Sequence, residues 1–171
     1  MSTHAEMDTA IEDASTPQTV GTASGMRSDM HWLLRHFVAE VSGVTHAVLL
    51  SRDGLRLLDS EVDRDWADEL SAGLSGMASI AKNITGPSHL KRPASQVIIE
   101  RDDCLIFVQS AGSSTAFDNH PGSNVKDTVL GIVATTDADA GSVGFEIGRL
   151  VQKFAPYMHV PVRVPSDDEA R

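Results

Sequence analysis

The chain has 171 residues, 41% of them hydrophobic and only 5% aromatic, and it carries a net charge of −10. That length fits one domain of ordinary size with residues to spare, and the core must come from Val, Ile, Leu, Met and Ala. An acidic chain without a block of Lys and Arg is unsuited to gripping phosphates, which excludes binding dominated by a nucleic-acid backbone.

Residues 1–25 are rich in Ser, Thr and Ala, hold Glu6, Asp8, Glu12 and Asp13, and contain no Lys or Arg. Without periodicity they read as a disordered acidic tail, and they lack the basic region and apolar stretch of a signal peptide. The domain is expected over 26–164, and 165–171 reads as a short flexible tail. Met30, Leu33, Leu34, Phe37 and Val41 recur at the spacing of one helical face. Ser28 or Asp29 is placed to cap that helix and Gly43 to stop it. Next, Asp53-Gly54 separates Thr45–Ser51 from Leu55–Ser60, a hairpin signal because Gly accepts the positive φ such turns need.

A second helix is predicted over 63–85, with Asp63 as its cap and Gly86-Pro87 beyond its end. At 100° per residue, Trp66, Leu70, Leu74, Met77, Ile80, Ala81 and Ile84 share one side, which reads as the core stripe. Asp68, Ala72, Ser75, Ser79 and Lys82 lie opposite. The flank between them, Ala67, Ser71 and Ala78, is made of small residues that let a neighbour approach closely. Three strands follow. Ala94–Arg101 alternates weakly, the turn Asp102-Asp103 leads into the apolar run Cys104–Val108, and Val129–Ala134 is apolar apart from Gly131. Unbroken apolar strands belong in a sheet covered on both faces. The Gly, Ser, Asn and Pro of 112–127 predict a long loop. The last helix is expected from Asp139, with Val143, Ile147, Leu150, Val151 and Phe154 inward and Pro156 ending or kinking it. The whole is an α+β sandwich, helix–strand–strand–helix–strand–strand–strand–helix, with a five-stranded, mainly antiparallel sheet and helices on its faces.

Chemistry-bearing patterns are missing. Cys104 stands alone, so it has no internal disulfide partner, and among apolar neighbours it reads as a small hydrophobe rather than a nucleophile. His31 and His36 are five apart, not the four of a helical metal pair, and His4, His46, His89, His120 and His159 have no ligand cluster at metal spacing. Gly141-Ser142-Val143-Gly144 opens a helix, but Asp137 and Asp139 beside it repel phosphate. Ser110, Ser113 and Ser114 lack a nucleophile elbow. Asp102-Asp103 and Asp137/Asp139 sit in turns, where Asp bonds its own backbone. No catalytic residue, cofactor or metal is therefore assigned. No run reaches the roughly 18 apolar residues of a membrane span, so a cytoplasmic protein without direct membrane insertion is expected.

The run Met30–Leu55, "MHWLLRHFVAEVSGVTHAVLLSRDGL", resembles the opening of the Roadblock/dynein light chain family: a helix ending in Val41-Ser42-Gly43-Val44, a strand, then Ser51-Arg52-Asp53-Gly54-Leu55. The likeness continues through the Gly-, Ala- and Ser-rich second helix and resumes at Asp137–Val151, which is similar to the last-helix motif of bacterial members. Those members are encoded in actinobacterial operons called conservons, beside a sensor kinase-like protein and a Ras-like GTPase. The loop 112–127 is longer than those relatives have.

The resemblance implies a profilin-like fold and a non-catalytic homodimer that binds a Ras-like small GTPase within a signalling complex. Related regulators of bacterial polarity GTPases dimerise through the edge strand after the second helix and dock the GTPase on the paired second helices. Carried over, this places Ala67, Ser71, Leu74, Ala78, Val97 and Ile99 at the dimer contact, and Asp68, Ser71, Ser75, Ser79 and Lys82 toward the partner. A sensor kinase-like protein is a further expected partner, and recruitment to a membrane through partners is compatible with such a complex. The alternative is a profilin- or PAS-like domain holding a small ligand between helix and sheet, which requires a cavity of several hundred cubic ångströms.

Overall fold

The computed structural model describes residues 22–92, 94–117 and 126–158. Helix α1 (Ala23–Glu40) leads into the hairpin β1 (Val44–Ser51) and β2 (Arg56–Asp59). Then come α2 (Arg64–Asn83), β3 (Gln96–Glu100), β4 (Leu105–Ser114), β5 (Lys126–Ala134), α3 (Ala140–Phe154) and a 3₁₀ turn, Ala155–Tyr157. All neighbours in the sheet are antiparallel, in the order β2-β1-β5-β4-β3. The element order and sheet match the expectation. Helices α1 and α3 cover one face over Leu49, Phe107, Leu130 and Ile132. Helix α2 covers the other over Val48, Leu50, Ile106, Val108 and Val129. The two edge strands among the described residues, β2 and β3, are the shortest.

Local chemistry explains most boundaries. The Asp63 carboxylate accepts from the Trp66 N–H at 3.0 Å and starts α2; Asp139 accepts from the Ser142 N–H at 2.6 Å and starts α3. Gly54 closes the β1–β2 turn with a φ of +91°, as that turn demands. Two boundaries differ from expectation. Helix α1 is capped by Thr22, whose Oγ1 accepts from the Gly25 N–H at 3.2 Å, not by Ser28 or Asp29, so residues 23–25 are helical. The rest of the expected tail, residues 1–21, lies outside the described residues, as do His4, His159 and residues 165–171. The predicted loop 112–127 is shorter than expected. Strand β4 runs on to Ser114 and β5 begins at Lys126, with Ser113 opposite Asp127 and Ser114 opposite Lys126. The register shifts between Ser110 and Gly112, and Gly112 takes a φ of +90°: a glycine that reads as a loop former lets the strand bulge and continue. Residues 118–125, including His120-Pro121, lie outside the described residues.

One polar cluster ties the hairpin to α2. The Arg56 guanidinium reaches Asp59 and Asp68, each at 2.7 Å, while Asp59 also accepts from the N–H groups of Glu61 (2.9 Å) and Val62 (3.0 Å). Burial favours the neutral form of Asp59, but these donors together outweigh it and hold its pKa below the ordinary value. A depressed carboxylate contributes stability that is present above the unfolded pKa, about 3.9, and is lost as pH falls below it. Asp59→Asn is therefore expected to lower stability at neutral pH by about 1–3 kcal/mol and to flatten the acid limb below about pH 4. Urea unfolding at a series of pH values checks both; an unchanged acid limb contradicts the assignment.

Candidate functional site

Helix α2 sits close on the sheet where the sheet lacks a side chain and the helix carries small residues beside Leu74. Gly131, in the middle of β5, faces it: a Cβ there would come 2.1 Å from Leu74 Cδ1 and 3.1 Å from Val48 Cγ2. On the helix, Ala67 and Ser71 are fully buried, Leu74 nearly so, and Ala78 half-buried. Burying Leu74 alone contributes about 1.5–3 kcal/mol. Ser71 satisfies its hydroxyl within the helix, donating to the Ala67 carbonyl at 2.7 Å.

This seating overturns the predicted core stripe. Of Trp66, Leu70, Leu74, Met77, Ile80, Ala81 and Ile84, only Leu74 is buried; Trp66 is 37% exposed, Ile80 58% and Ile84 64%. Gly131 leaves a notch in the sheet that Leu74 fills, and with Leu74 seated there the small residues Ala67 and Ser71 go in beside it. The large apolar side chains are turned toward the β3 edge and solvent. Ala67, Ser71 and Leu74, expected at the dimer contact, are consequently covered by the chain's own sheet. Ser71, expected also to face a partner, is covered too.

The remaining expected residues divide in two. Val97 and Ile99 of β3 are half-buried and pack on the α2 side of the sheet. Asp68, Ser75, Ser79 and Lys82 line the other flank of α2, toward the hairpin. Asp68 is held by Arg56, and Ser75 donates to the Arg52 carbonyl at 2.6 Å. Ser79 and Lys82 are exposed. Between the flanks, Gly73 and Gly76 present bare backbone with open space above them.

The site that emerges is a slope from α2 to the free edge of β3. Trp66, Leu70, Gly73, Met77, Ile99 and Ile106, with Arg101 at one end, line a groove of about 360 Å³. The Trp66 ring meets His46 edge-on, with centroids 4.9 Å apart. Beyond the groove, Ile80 and Ile84 extend the apolar surface, and among the described residues nothing pairs with the outer side of β3. The sequence signal for this site was Gly131, the one residue without a side chain in an apolar strand, which marks close approach of another element.

Other regions offer less. A second space between α2 and the sheet, lined by Ala78, Val97, Val108 and Val129, is about 30 Å³, far below what a small-molecule site needs, and the groove of about 360 Å³ is open to solvent rather than enclosed between helix and sheet. A cleft of about 630 Å³ is open to solvent where α1 ends and α3 begins, and is lined by Glu40, Asp137, Asp139 and Glu146 rather than by a helix–sheet interior. Cys104 is half-buried; burial, with the Asp103 carboxylate beside it, raises its pKa and keeps the thiol protonated. Among the described residues no group of three or more His, Cys, Asp or Glu is placed to hold a metal ion, and no helix is long and apolar enough to cross a membrane.

Comparison with known proteins places this geometry. The Roadblock/LC7 domain family model matches residues 30–117. A crystal structure of a Roadblock/LC7 domain from Streptomyces avermitilis is 34% identical, covers 74% of this chain and 95% of its own, and superposes with a TM-score of 0.63. Two further structures share the fold: the gliding protein MglB of Thermus thermophilus (17% identity, 80% of this chain, 91% of its own, TM-score 0.59) and MglB of Myxococcus xanthus (9%, 75%, 94%, 0.58). No curated protein sequence matches the chain significantly.

Proposed function

The chain belongs to the Roadblock/LC7 family, and on that premise we propose that it is a non-catalytic homodimeric adaptor whose paired α2 helices hold a Ras-like small GTPase. The observation that carries the dimer is the exposed apolar flank of α2 directly above the open edge of β3. A second copy related by a twofold axis covers both at once: strand meets strand and apolar flank meets apolar flank. The GTPase follows from the family resemblance, in which the paired second helices are the docking floor. Here that floor is the bare stretch Gly73–Gly76 with Asp68, Ser75, Ser79 and Lys82 along its rim. A sensor kinase-like protein, and through it a membrane, completes the complex in this reading.

The test is a titration of the purified dimer against a Ras-like GTPase from the same genome, loaded with GDP or with a non-hydrolysable GTP analogue. Binding with a Kd of about 1–10 µM, or about −7 to −8 kcal/mol, is expected in one nucleotide state, and Lys82→Glu together with Ser79→Glu should abolish it without changing the dimer's mass. Absence of binding in both states rejects the GTPase assignment.

A further inference from the structure

The backbone of β3 specifies how two copies join, an inference that rests on the dimer reading above. The Arg101 N–H donates to the Cys104 carbonyl at 3.0 Å, closing the β3–β4 turn. Antiparallel ladders alternate between mutually bonded and non-bonded pairs. In the observed register, Ile99 opposite Ile106 and Val97 opposite Val108 are therefore the bonded pairs. Gln96, Ile98 and Glu100 then turn their N–H and C=O groups outward, to the free edge.

A twofold axis perpendicular to a continuous sheet keeps each side chain on its own face, so one residue must sit opposite its own copy. We infer that this residue is Ile98, so that Ile98 faces Ile98 of the partner subunit, Gln96 faces the partner's Glu100, and Val97 faces the partner's Ile99. Only this register uses all three outward residues within β3, with two backbone hydrogen bonds in each of three pairs. Centring on Val97 or Ile99 leaves one outward residue of each copy facing beyond the strand. Centring on Glu100 sets like charges directly opposite each other, which is unfavourable.

The side chains agree. Ile98 is 49% exposed although it lies opposite the fully buried Phe107. Helix α3 approaches this face of β3 at Gly144, where a Cβ would come 2.9 Å from Gln96 Oε1, yet Ile98 stays half exposed. A second Ile98 on the axis supplies the missing apolar neighbour. On the opposite face, Val97 and Ile99 continue as apolar cross-strand pairs beneath the two α2 helices.

Single-cysteine variants of each residue from Gln96 to Glu100, in a Cys104→Ser background, distinguish the registers by oxidative cross-linking of the full-length chain. In the inferred register the Cα atoms at position 98 lie about 5.5 Å apart, inside the disulfide range of about 4.4–6.8 Å. The Cα atoms at position 97, and those at position 99, lie about 8 Å from their own copies, diagonally across the seam and outside that range. Ile98→Cys should cross-link at least about tenfold faster than its neighbours, and a mixture of Gln96→Cys and Glu100→Cys chains should yield only the mixed product. A maximum at position 97 or 99 overturns the register and leaves the dimer standing. No cross-link at any position in a protein that sediments as a dimer overturns edge pairing, and the same result in a protein that sediments as a single subunit overturns the dimer reading itself.

Discussion

Gly131→Ala is expected to destabilise the fold by about 2–3 kcal/mol, the upper part of the range of about 1–3 kcal/mol for forcing an extra methyl into a packed interior, which at this size lowers the melting temperature by roughly 5–10 °C. The added Cβ meets Leu74 Cδ1 at 2.1 Å, well inside contact distance. Leu74 is the far end of a flexible side chain, but it is only 3% exposed, and Val48 Cγ2 at 3.1 Å closes one direction of escape. The strain is relieved by turning Leu74 out of its packing or by lifting α2, which loosens the contacts of Ala67 and Ser71 as well. Gly131→Val should therefore be worse than Gly131→Ala. Leu74→Ala alone costs about 2–5 kcal/mol as a cavity, yet in the Gly131→Ala background it should cost less, with a coupling of about 1 kcal/mol or more. Thermal unfolding of the four proteins in the cycle measures this. If Gly131→Ala is neutral within about 0.5 kcal/mol, the close seating of α2 is not what holds the helix.

That single glycine also explains where the sequence was legible and where it was not. Asp63 and Asp139 announced two helix starts, and Asp53-Gly54 announced the hairpin, because each acts through bonds to its own neighbours in the chain. The apolar runs of β4 and β5 announced central strands because both faces of each are covered. Helical periodicity, by contrast, locates an apolar stripe without saying what covers it. For α1 and α3 the stripe is covered by the sheet: Met30, Leu34, Phe37, Val143, Ile147, Leu150 and Phe154 are all buried. For α2 the choice between the Leu70–Met77 stripe and the Ala67–Ala78 flank was decided 50 or more residues away, by the missing side chain at 131. The site hid in that ambiguity, since an apolar stripe that the fold does not bury is what an interface looks like from sequence. The over-long loop had a similar cause. Gly112 signals a chain reversal and a bulge equally well, and only the pairing of Ser114 with Lys126 distinguishes them.

Replacing Ile80 and Ile84 together by Glu should convert the protein from dimer to folded monomer. In the single chain both side chains are more than half exposed, and substitutions at such positions usually change stability by no more than about 0.5 kcal/mol. In the dimer they belong to a helix of 20 residues that spans about 30 Å at 1.5 Å per residue. Two such flanks side by side, with β3 beneath, supply the roughly 800 Å² per partner of a standard interface. The symmetry brings each substitution in twice, so four carboxylates enter an apolar contact. Leaving charges unpaired in a buried contact costs about 2–5 kcal/mol for each pair broken, so the dimer Kd should rise by at least about 10³-fold, or 4 kcal/mol. Sedimentation velocity reads the mass and far-ultraviolet circular dichroism the fold. Ser79→Glu, on the hairpin flank of the same helix, should leave the mass unchanged. A double variant that stays dimeric places the interface elsewhere. One that unfolds, while Ser79→Glu does not, shows instead that these isoleucines are covered by the chain itself, and with that the slope from α2 to β3 loses its claim to be a site.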